Sequence, residues 1–384
     1  MIKKDRLTLI AHLPHILIEG QYHSYEPYVR EMKLWSELFE TIDLYTEVVY
    51  DTPSFSIISL PSNMIVHDLG IRGGGDKISR IKRFLQTLVL PFRLYHIIKR
   101  ASYLHFRSPG YTTFFANLVN YFFKRKVIVK WATSFPPQKA MGRISNWEAK
   151  LLMKSSNNTQ VMCYNDIPKS NFHIFFPALF TQRELYEISS FTDKTNWSDT
   201  SRYRFVCVGR LHPDKNIELI LYGLRRYLDQ TGDDNLIIEL IGDGPLRSKL
   251  ESLVKDLKII KNIKFKGSLP FNEVLNELKT ANFLIMPGVN EGWGKVINES
   301  LAAKCIPIVV NKGNGANVLK LMGSPGLFFE ASADGFSQII QVAQELKKDK
   351  IDHFIQLGDR ANSSMTLEQF QQKLIHVLDS LDKL

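Results

Sequence analysis

Short apolar runs alternate with amphipathic stretches along the whole chain, a pattern that argues for α/β layers around mostly parallel sheets. In the first half, strands are predicted at 7–12 (LTLIAH), 42–49 (IDLYTEVV), 103–106 (YLHF), 126–131 (KVIVKW) and 159–164 (TQVMCY). Helices fall between them. EPYVREMKLWSELFE places Val29, Met32, Leu34, Trp35, Leu38 and Phe39 along one stripe, and the segment after SPGY does the same with Phe114, Phe115, Leu118, Val119, Phe122 and Phe123. These side chains read as core packing. Residues 77–100 (KISRIKRFLQTLVLPFRLYHIIKR) instead combine an apolar stripe with basic residues, and Pro91 is predicted to kink them. Such a helix either covers the sheet or rests on a membrane surface.

Around residues 188–204 the chain turns polar and Ser/Thr-rich, which marks a linker. A second alternating unit follows, with strands expected at 204–209, 236–242, 263–267, 282–287 and 305–310. The predicted organisation is a first Rossmann-like domain over 1–188, a linker over 189–203, a second Rossmann-like domain over 204–355, and closing helices over 356–384. The fold class is thus α/β, with two Rossmann-like domains facing across a cleft.

Composition adds two constraints. The three cysteines, Cys163, Cys207 and Cys305, are isolated and form no C-x-x-C pair, so neither disulfides nor zinc are indicated and a reducing, cytoplasmic setting is expected. The opening residues read as a first strand, not a signal peptide, and the longest uncharged apolar window, 108–123, is too short to span a bilayer. The net charge of +10 is unevenly spread: Arg72 to Lys154 holds 17 Lys and Arg against two acids, Asp76 and Glu148. That one-sided field points to an anionic partner, either a phospholipid surface or a phosphorylated acceptor. Nucleic acid is not expected, because no RNA- or DNA-recognition motif accompanies the charge.

In open parallel sheets, ligands sit beyond the carboxyl ends of strands. The loops at those positions in the second unit are GRLHPDKN (209–216), GDGP (242–245), GSLP (267–270) and GVNEGWG (288–294). Arg210 and Lys215, in the loop that opens with Gly209, can clamp a diphosphate, the one as a fork and the other as a point charge. In EGWG, a helix starting near Gly294 would turn its N-terminal N–H groups toward an anion, with Gly292 and Gly294 clearing the approach. Glu291 and Glu299 bracket this element and suit sugar hydroxyls. Eight residues of helix would separate them by roughly 12 Å along the axis, more than the about 5–9.5 Å between the paired carboxyls of glycoside hydrolases.

Taken in order, VGRLHPDKN, IGDGP, IKFKGSLP and MPGVNEGWGKVINESLAAKCIPIVV resemble the C-terminal nucleotide-sugar domain of the retaining glycosyltransferases of family 4, which have the GT-B architecture. The resemblance covers 204–310. It implies that Arg210 and Lys215 neutralise the donor diphosphate, that Glu291 binds the transferred sugar, and that Glu299 holds the ribose. Gly242, Asp243, Gly244 and Pro245, with Gly267, Ser268 and Leu269, would surround the base, and Gly292, Trp293, Gly294, Lys295 and Val296 would line the donor. The sequence departs from the family in the first domain. Only Gly20 stands where a glycine pair is common, and Lys130, Trp131, Thr133 and Ser134 occupy the region of a common histidine. Gly20, Lys130 and Thr133 are the substrate-contact candidates there. Gly288 and Asn317 replace a common serine and acid in the second domain.

The implied reaction moves a sugar from a nucleoside diphosphate sugar to a glycan or polyprenyl-diphosphate-linked acceptor, as in cell-surface polysaccharide biosynthesis, with no cofactor and no metal. No D-x-D site is evident; Asp233 and Asp234 sit in a turn before a strand. The competing expectations are a catalytically silent subunit of the same fold and a nucleotide-sugar epimerase. The basic segment 72–154 would hold the protein peripherally on the inner face of the cell membrane.

Overall fold

The computed structural model describes residues 3–49, 57–70, 77–133, 135–136, 142–190, 202–289 and 292–383, with backbone only at 14, 77–85 and 87. The expected linker therefore lies mostly outside the described residues. Two compact units divide the chain: the first takes residues up to Ala178 and again from Leu367, the second takes Leu179–Thr366.

The first unit contains β1 (Lys4–Ile18), β2 (Gln21–Tyr25), α1 (Glu26–Leu38), β3 (Phe39–Val49), β4 (Ile57–Ser59) and β5 (Met64–Asp68). It continues with α2 (Lys77–Arg100), β6 (Tyr103–Ser108), α3 (Tyr111–Phe123), β7 (Val127–Trp131), α4 (Arg143–Met153), β8 (Thr159–Cys163) and β9 (Phe172–Ile174). Its parallel strands run β5-β3-β1-β6-β7-β8-β9, and the far end of β1 pairs antiparallel with β2, which pairs with β4. β1 outruns the predicted 7–12 because it continues past an irregularity. Its pairing with β3 slips between Ile10 and Pro14, the kind of place where a strand tolerates the missing proline N–H. α2 is continuous through Pro91.

Strand parity decides which side chains meet. Leu104, Phe106, Val127 and Val129 pack toward α2, α3 and α4, whereas Ile128 faces the cluster built with α1. His105 and Lys130 share the parity of Ile128, so they too are buried on the α1 side, where His105 stacks on Trp35 at 4.2 Å.

The second unit contains α5 (Gln182–Ser190), β10 (Tyr203–Val208), α6 (Ile217–Thr231), β11 (Leu236–Ile241), α7 (Arg247–Asp256), β12 (Ile263–Gly267), α8 (Phe271–Thr280) and β13 (Phe283–Met286). There follow α9 (Val296–Ala302), β14 (Ile306–Val310), α10 (Asn314–Leu321), β15 (Leu327–Phe329), α11 (Ala333–Gln344) and α12 (Lys348–Ser363). All six strands are parallel and enclose one large apolar core. The last helix, α13 (Leu367–Asp382), packs into the core of the first unit through Phe370, Leu374, Val377 and Leu378. Residues 356–366, expected with the returning helices, stay in the second unit, since Ala361 and Asn362 are buried there. Among the described residues no helix is long and apolar enough to cross a membrane.

Two histidines make the first unit acid-sensitive. Both are fully buried; His15 Nδ1 lies 2.8 Å from the Leu13 carbonyl, and His105 Nδ1 donates to the Ile128 carbonyl at 2.9 Å. Burial lowers each from 6.5 to about 4, so between those values the unfolded chain binds more protons than the folded one. Stability is then complete above pH 6.5 and declines as the pH falls toward 4. Burial would raise the carboxyl of Glu31, but Lys130 and Arg107 outweigh it and hold the group below its ordinary 4.5, adding a further loss under more acid conditions. Thermal unfolding followed from pH 6.5 down to pH 4 is expected to show a steadily falling Tm. A flat profile over that window would contradict the neutral burial of both rings.

Candidate functional site

The six strands of the second unit are ordered β12-β11-β10-β13-β14-β15, so the order reverses between β10 and β13. Loops leaving the carboxyl ends of two such strands diverge, and ligands bind in the opening. A small crevice lies there, lined by Gly209, Arg210, Lys215 and Ile217 from the β10 side and by Ile285, Met286 and Pro287 from the β13 side.

The local sequence explains how both cations reach it. Residues Pro213–Lys215 form one tight 3-10 turn, Asn216 takes a left-handed φ of 52°, and α6 begins at Ile217. The turn folds Lys215 back, so that a Cβ built on Gly209 would sit 3.9 Å from Lys215 Cε. Asp214 reports the same proximity. Burial would raise its carboxyl, but its bond with His212 and the charges of Lys215 and Arg210 hold it below the ordinary value. Two cations thus act on one neighbourhood, beside the N-terminus of a fifteen-residue helix.

Glycines in the adjoining loops have a different reason. The Gly209 N–H donates to Ile241 O at 2.9 Å, Leu211 N–H to Asp243 O at 2.9 Å, and Gly242 N–H to Gly267 O at 2.7 Å, carrying backbone pairing past the strand ends. A Cβ would lie 2.0 Å from Gly209 O at Gly242 and 2.5 Å from Leu211 O at Gly244. Both positions also have positive φ, 136° and 157°. They are glycine because a neighbouring loop lies against them. At the loop tips Asp243, Pro245 and Ser268 are exposed, and Leu269 is half-buried. Arg247, not singled out in the sequence, stands between these loops: its guanidinium lies 5.3 Å from the Phe265 ring centre, 3.8 Å from Asp243 and 3.7 Å from the Cβ position of Gly267.

Gly292 is exposed, and Gly294 has a φ of 69°. A Cβ on Gly294 would press to 3.0 Å on Met286 Cε, a side chain that lines the crevice. Lys295 and Val296 are half-buried at the start of α9. Trp293 is 3% exposed and serves as an anchor, not a surface contact: Nε1 donates to Asn298 Oδ1 at 2.8 Å, Asn298 Nδ2 donates to Asn362 Oδ1 at 3.0 Å, and Asn362 Nδ2 returns a bond to Asn298 O at 3.0 Å. Asn298 and Asn362 were not candidates in the sequence, where neither carries a motif. Glu299 is buried on α9, and Glu291 lies outside the described residues. The helix begins only at Val296, so the interval between the two glutamates is not helical throughout, and the axial spacing used above against a hydrolase pair does not hold.

The first-unit candidates each have a local structural role. Gly20 and Glu19 form the two-residue turn between β1 and β2, with φ of 78° and 47°, a geometry that favours glycine for the hairpin alone. Lys130 is 2% exposed and bound to Glu31 at 2.5 Å, so its ammonium belongs to the core. Thr133 is half-buried just beyond β7, and Ser134 is outside the described residues.

Known proteins resemble this chain chiefly in its second unit. Residues 190–357, less than half of the chain, match the family model of glycosyl transferases group 1. An uncharacterized glycosyltransferase of Methanocaldococcus jannaschii is 28% identical over 123 residues, covering 32% of each chain. The N-acetylgalactosamine-N,N'-diacetylbacillosaminyl-diphospho-undecaprenol 4-alpha-N-acetylgalactosaminyltransferase of Campylobacter jejuni is 30% identical over 112 residues, 29% of each chain. Such matches span about a third of the length of the curated relatives. Over the whole length, HepE of Anabaena in complex with UDP matches with a TM-score of 0.66 at 10% identity, covering 98% of this chain and 100% of the other. That likeness, with the two parallel-sheet units, shows the GT-B fold.

Replacing Asn298 by Ala leaves the buried Trp293 Nε1 donor and the buried Asn362 Oδ1 acceptor unmatched and is expected to cost about 1–3 kcal/mol in chemical denaturation. In a double-mutant cycle with Asn362→Ala the two losses should sum to more than the double variant shows. Strict additivity would mean that the amides act independently.

Proposed function

We propose that this chain is a retaining, metal-independent glycosyltransferase that moves a sugar from a nucleoside diphosphate sugar to a glycan or lipid-linked acceptor, in the biosynthesis of a cell-surface polysaccharide. The observation that carries this reading is the meeting of Arg210 and Lys215 in one crevice at the strand-order reversal, inside the segment that matches glycosyl transferases group 1. As the sugar leaves, negative charge builds on the departing diphosphate. Two cations and the start of α6 would stabilise that charge more than they stabilise the intact donor, which is the condition for speeding the step. Glu291 would bind the transferred sugar, Glu299 the ribose, and the loops at 242–245 and 267–269 would enclose the base. The acceptor hydroxyl would attack on the face the diphosphate leaves, passing its proton to that phosphate, so no side chain is assigned as base.

A second reading, a catalytically silent subunit of the same fold that binds a partner enzyme, is favoured by the region of the family's common histidine, where Lys130 has its ammonium held in the core. An epimerase of the same fold would interconvert nucleotide sugars without an acceptor. Sugar transfer separates the three. A thermal-shift panel of nucleoside diphosphates and their sugars should raise Tm for one base, and Arg210→Ala or Lys215→Ala should weaken that ligand about 10- to 100-fold. Glu291→Gln should abolish release of nucleoside diphosphate while leaving nucleotide binding in place. Binding indifferent to both cations would sink the proposal.

The acceptor reading extends to location, on the inner face of the cell membrane. α2, α3 and α4 expose Phe92 (72%), Phe122 (77%) and Trp147 (55%). Their only described acid is Glu148, which is buried and held by Ser108, Gly110 and Asn117. A face of aromatics and cations without exposed carboxylates suits an anionic bilayer. Flotation should recover the protein with anionic vesicles and much less with neutral ones, and Phe92→Ser with Phe122→Ser should reduce recovery. Equal recovery from both vesicle types would count against membrane attachment.

A further inference from the structure

The first sheet contains the same reversal as the second: β3 and β5 lie on one side of β1, and β6 to β9 on the other. Pairing of β1 with β6 ends at Ala11 and Arg107, and the space just past that point is another place where ligands sit in such sheets. The chain after β6 stays against β1 there, since a Cβ on Gly110 would lie 3.0 Å from that of His12, which is exposed. α3, thirteen residues long, starts at the same exit with no side-chain cap.

Beneath this opening lies a buried ion group with unequal charges. Arg107 lies over the Tyr28 ring, 5.0 Å from its centre, and reaches Glu31 at 3.3 Å, while Lys130 meets the same carboxylate oxygen at 2.5 Å. Two cations thus share one carboxylate. The flanking His15 and His105 are neutral, and Glu148, on the opposite face of the sheet, is held by Ser108, Gly110 and Asn117. The group carries a surplus positive charge, which is costly to bury without a counterion. Side-chain exposure is 2% for Lys130, 7% for Glu31 and 14% for Arg107, so Arg107 is the outlet of that charge. The other Glu31 oxygen, Oε1, the Tyr28 hydroxyl and His15 Nε2 are buried and find no hydrogen-bond partner among the described residues. Only one N–H of the Arg107 fork is engaged by a described acceptor.

We propose that Arg107 binds a phosphate or diphosphate group of the sugar acceptor, seated where the pairing of β1 with β6 ends, with Glu31 and Lys130 fixing the guanidinium from below. This deepens the glycosyltransferase reading and rests on it for the word acceptor; the anion site itself rests on the first unit alone. Calorimetric titration of inorganic pyrophosphate tests it. In an Arg210→Ala/Lys215→Ala chain the donor crevice is disabled, and one pyrophosphate site is expected to remain. Adding Arg107→Gln should weaken that site by at least about tenfold. Arg107→Lys keeps the charge without the fork and serves if Gln unsettles the Glu31 group; it should bind with intermediate strength. Loss of all pyrophosphate binding in the Arg210/Lys215 chain, or indifference to both Arg107 variants, overturns the proposal. Failure of any nucleoside diphosphate to bind the unaltered chain, with the Arg107-dependent site intact, would fault the donor reading and support this one. A short prenyl diphosphate then assigns the source of the anion: binding tighter than pyrophosphate indicates a lipid-linked diphosphate, and equal binding a soluble phosphorylated acceptor, either result supporting the site.

Discussion

The reversal of strand order between β10 and β13 is the constraint from which the candidate site follows. Parallel strands force every connection to return across a face of the sheet, and at one position successive connections must leave toward opposite faces. No side chain is needed to create that opening, because the backbone topology does so. What the sequence adds is the chemistry of the two loops beside it. The β10 loop supplies Arg210 and Lys215, and the β13 loop supplies Met286 and Pro287 as an apolar wall.

That opening persists only if the loops around it are held. Backbone bonds from Gly209, Leu211 and Gly242 extend the pairing of β10, β11 and β12 beyond their ends, and the bare Cα positions of Gly242 and Gly244 allow it. On the other side, the Trp293–Asn298–Asn362 bonds pin the turn after β13 to the end of α12. Rigid supports of this kind keep charged side chains near the geometry an anion requires, so less reorganisation is left for the moment of binding.

Much of the fold was readable because buried parallel strands leave continuous apolar runs. The strands predicted at 103–106, 126–131, 159–164 and 263–267 match β6, β7, β8 and β12 to within two residues at each end. What escaped was short or irregular: β4, β9 and β15 have three residues each, and β1 runs on through Pro14 after its register slips. At the site, Arg210 and Lys215 were legible from their place after a strand. Lys130 was a candidate because it falls in the region of a common family histidine, but its parity within KVIVKW puts it beside Ile128 in a sheet covered on both faces. Asn298 was invisible because an amide in a helix has no periodic signature and takes its meaning from Asn362, distant in sequence.

The two sheets share one strand-order rule but place their cations differently. In the second unit, Arg210 is exposed and Lys215 half-buried, on a loop whose neighbouring acid, Asp214, is engaged with His212. Cations near water attract an anion weakly until a ligand displaces the solvent, so such a site binds reversibly. In the first unit, Lys130 and Arg107 are locked against Glu31, and Arg107 is the most exposed of the three. Removing Glu31 would strand two buried cations, whereas removing Asp214 would leave Arg210 and Lys215 solvated. The same pair of residue types is therefore locked into a buried ion group in one sheet and left on an accessible loop in the other, and the difference is set by strand parity and by the packing of α1 and α13 over the first sheet.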